Sequence, residues 1–90
     1  MISHLNEDFD KAFKKLPKPV QDQAKRDFRF FIENPFHVSL HFKQVREKPP
    51  WWSVRIGRSY RALGVRKNVD TIVWFWIGTH TEYDRLIANP

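Results

Sequence analysis

The 90-residue chain contains no cysteine. That excludes disulfides, thiolate metal sites and a cysteine nucleophile. His4, His37 and His41 lack companions at metal-ligand spacing, so neither a metal nor a cofactor is expected. There is no internal repeat, low-complexity tract or linker, and one domain over residues 1–90 is the expectation. Long apolar runs are missing too. The longest, Ile72 to Ile77, has six residues, where a membrane span needs roughly 20. The N-terminus is polar from Ser3 to Lys18 and lacks the apolar core of a signal peptide. A cytoplasmic protein without membrane contact is expected.

Acidic residues are scarce in one stretch only. Residues 43–67 hold eight Lys and Arg against a single acid, Glu47, whereas residues 1–42 hold seven against six and residues 68–90 hold one against three. A basic stripe this dense suits a polyanion or an acidic partner. Trp51, Trp52 and Tyr60 are interleaved with it. Lys43, Arg46, Lys48 and Arg58 are therefore candidate RNA-binding cations. Trp51 and Trp52 are candidates for base stacking or partner contact, because neighbours on a strand cannot both face the core.

What is abundant is aromatic: 16% of the chain. The run T-I-V-W-F-W-I-G, Thr71 to Gly78, is β-branched and aromatic, as suits a strand. It lacks period-2 alternation, which predicts a strand covered on both faces at the centre of the sheet. Upstream, Phe9, Ala12, Phe13 and Leu16 share one helical face, with Asn6 as N-cap. A second helix is predicted from Pro19 to Glu33, with Val20, Ala24, Phe28, Phe31 and Ile32 inward and Asn34-Pro35 ending it. From Leu40 the period becomes that of strands, with turns at Pro49-Pro50, Gly57-Arg58-Ser59 and Lys67 to Asp70. Residues 1–5 read as a short strand or a lead-in, and Glu82 to Ile87 as one helical turn. The expected fold is α+β: two N-terminal helices packed on one face of a twisted four-stranded, mostly antiparallel sheet.

The other face of that sheet would carry Lys43, Ser53 and Arg55, with Arg61 joining them if the hairpin register allows. His80 and Tyr83 follow the last strand. Three fixed cations, a group titrating near neutrality and a phenol suit the metal-free cutting of RNA. RNA supplies its own nucleophile, the 2′-hydroxyl, and needs a base, an acid and cations around the phosphate. Structural readings stand beside these. Arg61 could tether the sheet to Glu82 or Asp84, His80 could cap the last turn, and Tyr83 could be core with its hydroxyl at the edge.

The strings L-H-F-K-Q-V (40–45), W-S-V-R-I-G (52–57), Y-R-A-L-G (60–64) and W-F-W-I-G-T-H-T-E-Y-D (74–84) resemble the RelE/ParE superfamily of type II toxins. K-K-L-P, V-Q-D-Q-A and E-N-P in the helical part are similar to it as well. The resemblance implies a toxin-like domain held by a cognate antitoxin in a hetero-oligomer. For RelE-like members it implies ribosome-dependent mRNA cleavage. Arg55 and Arg61 would then stabilise the phosphate, and His80 and Tyr83 would share the proton transfers. RelE has a lysine where Ser53 stands and a basic side chain other than histidine at His80. ParE-like members share the fold but poison gyrase without a nuclease centre, and a degenerate toxin fold that only binds a partner is a third possibility.

Overall fold

Asn6 starts the first helix. Its Oδ1 accepts from the Phe9 N–H at 2.9 Å, and Glu7, Asp8 and Asp10 occupy the first turn, where the helix dipole favours acids. The computed structural model describes residues 1–88, so the last two residues of the expected domain lie outside the described residues. Helix α1 spans Glu7–Lys14 and α2 spans Lys18–Glu33, with Pro19 in the first turn of α2. The Gln21 side chain donates to the Phe13 and Leu16 carbonyls, so α2 closes the open C-terminal end of α1.

Five strands follow one order across the sheet, β1-β5-β4-β3-β2. They are β1 (Ile2–Leu5), β2 (Lys43–Arg46), β3 (Trp51–Ile56), β4 (Tyr60–Asn68) and β5 (Thr71–Thr79). The expected count of four is corrected to five: residues 2–5 add an edge strand parallel to β5, while the other pairs are antiparallel. The middle position belongs to β4 rather than to the Thr71–Gly78 run. Leu40 lies in a 3-10 turn, Val38–Leu40, so β2 begins only at Lys43. The tail is a nine-residue helix, α3 (His80–Ala88), longer than the single turn expected.

The reading of β5 as covered on both faces also fails, for a specific reason. Ile72 and Trp74 face the helices in register, Phe75 is the extra residue of a bulge opposite Leu63 and Gly64, and Ile77 then faces inward again. A bulge shifts the side-chain phase by one residue. The broken alternation records that shift. Val73, Phe75 and Trp76 on the strand are only half-buried.

The core lies between the helices and this face of the sheet. Phe9, Ala24 and Phe31 meet Val54, Ile56, Ala62, Ile72, Trp74 and Ile77 there. Ile32, expected on the inner face of α2, is instead 58% exposed. It adjoins Phe31 in sequence, and only Phe31 of the two reaches the sheet side. Gly64 is needed for close approach: a Cβ there would sit 2.8 Å from Ile72 Cγ1 and 2.9 Å from Trp74 Cε3. Both neighbours are fully buried and cannot retreat. Gly64→Ala should therefore cost about 1–3 kcal/mol, the usual range for overpacking, read as a lower chemical-denaturation midpoint. An unchanged midpoint would show that the bulge can open to take a methyl group.

Candidate functional site

The hairpin joining β3 and β4 turns at Gly57, whose φ of 59° suits a residue without a side chain. The Gly57 N–H donates to Asp27 Oδ2 of α2 at 3.1 Å, and Gln23 braces the same carboxylate at 3.0 Å. The hairpin is thereby pinned to the helical layer. Its register places Arg55 directly opposite Arg61, and Ser53 between Lys43 on one side and Leu63 on the other. These residues occupy the face away from α1 and α2.

Helix α3 covers part of that face. Thr79 and Glu82 form a capping box: Glu82 Oε1 accepts from the Thr79 N–H at 3.2 Å and from its hydroxyl at 2.9 Å, and the Glu82 N–H donates back to Thr79 Oγ1. The Thr79 N–H first, and its hydroxyl next, hold the Glu82 carboxyl below its usual range. Successive turns then bring His80, Tyr83 and Asp84 to one side. Between α3 and strands β2 to β4 lies a cleft of about 380 Å³, lined by Lys43, Ser53, Arg55, Arg61, His80, Tyr83 and Asp84 among others.

The floor of the cleft is electropositive, with Lys43, Arg55 and Arg61 among its lining residues. The Arg55 Nε is buried without a hydrogen-bond partner. Arg61 donates to the Tyr60 carbonyl at 2.7 Å and to the Arg58 carbonyl at 3.4 Å. It does not take Glu82 or Asp84 as an ion-pair partner, so the tether expected of it is made to backbone instead. Burial first, and the Arg55 charge next, push the Arg61 guanidinium below its ordinary value. Like charges directly opposite on a ladder are destabilising, and an anion between them would relieve the repulsion.

The rim is titratable. His80 Nε2 lies 3.4 Å from Asp84 Oδ1, and the His80 ring stacks on Tyr83 with centroids 6.2 Å apart. The His80 N–H donates to the Ser59 carbonyl, which ties the start of α3 to the hairpin. Tyr83 is buried, and its hydroxyl donates to Ser53 Oγ at 3.0 Å. Among the described residues no three His, Asp or Glu side chains converge as a metal site would require.

The expected residues thus divide. Lys43, Arg55, Arg61, His80 and Tyr83 share the cleft. Trp52 faces the other way: its ring packs on Phe42 at 4.7 Å beneath the Arg66 guanidinium. Trp51 lies on the outer face against Phe75, with the Arg46 guanidinium 4.1 Å above it. Lys48 and Arg58 are exposed in turns and do not line the cleft. The sequence reading offers Asp84 as a tether for Arg61 and not as the partner of His80, and it does not contain the Ser53–Tyr83 bond. The i, i+4 spacing of His80 and Asp84 was the available signal for the first; the second joins residues 30 apart and leaves no local trace.

Residues 18–85 match the family model for the ParE-like toxin domain. No curated protein matches the sequence at a significant level. Among solved structures, the chain is similar to the RelB-RelE antitoxin-toxin complex from Methanococcus jannaschii, with a TM-score of 0.69, 19% identity, and coverage of 91% of this chain and 96% of that one. It is similar to an E. coli RelE toxin mutant in the free state (TM-score 0.67, 18% identity, 92% and 86% covered). The YoeB/ParE toxin from Agrobacterium tumefaciens also resembles it (TM-score 0.67, 12% identity, 89% and 99% covered). At these identities the neighbours speak for the fold, and the family match spans three quarters of the chain. The chain belongs to the ParE-like toxin domain family, within the RelE/ParE superfamily of toxins.

Proposed function

We propose that this toxin is a ribosome-dependent mRNA endoribonuclease of the RelE-like kind, acting in the cytoplasm and neutralised by a cognate antitoxin. One observation carries the reading: Arg55 and Arg61 face each other across the ladder without a carboxylate between them, and His80 stands at the rim of their cleft. In this scheme the phosphodiester of mRNA lies between the two guanidiniums, with Lys43 at its flank. The 2′-hydroxyl gives up its proton to a base as its oxygen attacks phosphorus, the bond to the 5′-oxygen breaks, and the leaving oxygen takes a proton from an acid. The products are a 2′,3′-cyclic phosphate and a 5′-hydroxyl. His80, half-exposed and oriented by Asp84, is the group assigned to proton transfer. Tyr83, whose ring stacks beside His80 with centroids 6.2 Å apart, is the second group assigned to it. The antitoxin belongs to the proposal because the M. jannaschii neighbour is an antitoxin-toxin complex.

A ParE-like role in gyrase inhibition is the second reading, favoured by the name of the matching domain family. Mapping of cellular mRNA ends after induction separates the two. New 5′ ends inside translated frames, absent with His80→Ala, are expected. Growth arrest with gyrase-cleaved DNA and no new mRNA ends would overturn the ribonuclease reading.

A further inference from the structure

We infer that Ser53 is a ligand-contacting donor on the floor of the cleft, giving its hydroxyl proton to a phosphate oxygen, and that Tyr83 is the positioning residue that aims it. The inference deepens the ribonuclease reading and rests on it for the identity of the anion.

Ser53 is the one polar residue classed as buried among the described residues, at 2% exposure, yet it lines the cleft. A serine hydroxyl carries one proton and two acceptor lone pairs. The Tyr83 hydroxyl uses one lone pair. No other side chain or carbonyl among the described residues engages Ser53 Oγ, so its own proton remains available. A buried donor without an acceptor is costly, and a ligand oxygen would answer it.

The surroundings say what kind of oxygen. Ser53 stands two residues before Arg55 on the same face of β3, and Arg55 Nε is the second unanswered donor there. Lys43 is its register partner on β2. Donors without acceptors beside opposed cations fit an acceptor-rich anion such as phosphate. A neutral hydroxyl adds a hydrogen bond without adding to the Arg55–Arg61 repulsion, which a lysine at this position would increase. The Tyr83 hydroxyl, 3.0 Å away, fixes the Ser53 rotamer and polarises its O–H.

The test is titration of the intact chain with inorganic phosphate, followed by amide NMR shifts at a temperature where every variant is folded. Wild type should show saturable shifts at Ser53, Arg55 and Arg61. Ser53→Ala should bind about tenfold more weakly, as expected for a hydrogen bond to a charged group. Tyr83→Phe should lose roughly threefold, acting only through Ser53, and the double variant should bind no worse than Ser53→Ala. The double variant also removes both partners of the buried bond, so it supplies a background without an orphaned hydroxyl. A purely structural pair would lower thermal midpoints and leave phosphate affinity unchanged. That result would overturn the inference, as would the absence of cleft shifts in wild type. Weakened phosphate binding in Ser53→Ala, together with intact mRNA in cells, would keep the subsite and remove the ribonuclease reading. Cleaved mRNA with unchanged phosphate affinity would do the reverse.

Discussion

Arg61→Ala should lower the cleavage rate of ribosome-bound mRNA by about 10²–10³-fold, the usual cost of one lost donor to developing transition-state charge. Arg61 cannot shift to another role, because its guanidinium is held by the Tyr60 and Arg58 carbonyls beside Arg55. Its position is fixed before any ligand arrives, which is what electrostatic preorganisation requires. The stability of the same variant should move little or rise slightly. Removing one of two opposed cations relieves a repulsion that the folded chain otherwise carries. This opposition of signs is diagnostic. A structural arginine would lose stability and activity together, whereas a phosphate-binding arginine loses activity alone. Arg61→Lys should recover only part of the rate, since an ammonium lacks the planar fork that spans two oxygens. Single-turnover cleavage on programmed ribosomes, with thermal melts of the same preparations, reads both quantities. Undiminished cleavage by Arg61→Ala would remove Arg61 from the site.

How much of this was legible beforehand depends on the range of the interaction. The helices were readable because their signals are local: Asn6 bonds Phe9 three residues on, and Asn34-Pro35 stops α2. The opposed arginines were within reach as well, since a short turn at Gly57–Ser59 leaves few registers, and one of them pairs Arg55 with Arg61. Beyond that distance the sequence is silent. Asp27 pins Gly57 from 30 residues away, and Tyr83 meets Ser53 from 30 residues away. Neither pair has a spacing rule, because each is set by how the layers pack. The bulge at Phe75 is the instructive error. A local irregularity mimics the pattern of a strand covered on both faces, and so points to the wrong sheet centre. Edge strand β1 went undecided for the opposite reason: four residues with Ile2, His4 and Leu5 exposed carry too little pattern to register.

That misread strand nonetheless holds the residue on which stability should depend most. Trp74→Ala should cost about 4 kcal/mol, in the range for deleting a large buried aromatic. Trp74 is fully buried, with Phe28 and Phe31 edge-on to it at 5.3 and 5.4 Å and Phe42 at 6.5 Å. Three aromatic rings from α2 and the segment before β2 thus meet around one indole of β5, whose Nε1–H also donates to Ser3 Oγ at 3.3 Å and secures β1. A domain of this size holds about 5–15 kcal/mol in total, so the loss is a large fraction of it. The thermal midpoint should fall by roughly 16–32 °C. Trp76→Ala supplies the contrast. Trp76 is two positions along β5 and half-buried, with its ring over Gly78, and its loss should cost far less. The pairing of β4 with β5 carries the register that sets Arg61 in place. Trp74→Ala should therefore lose cleavage through unfolding, recoverable at low temperature, whereas Arg61→Ala should lose it at every temperature. Thermal melts and temperature-dependent cleavage of the three variants check this. A Trp74→Ala midpoint within a few degrees of wild type would show that the core closes around the gap, and would move the stability of the sheet elsewhere.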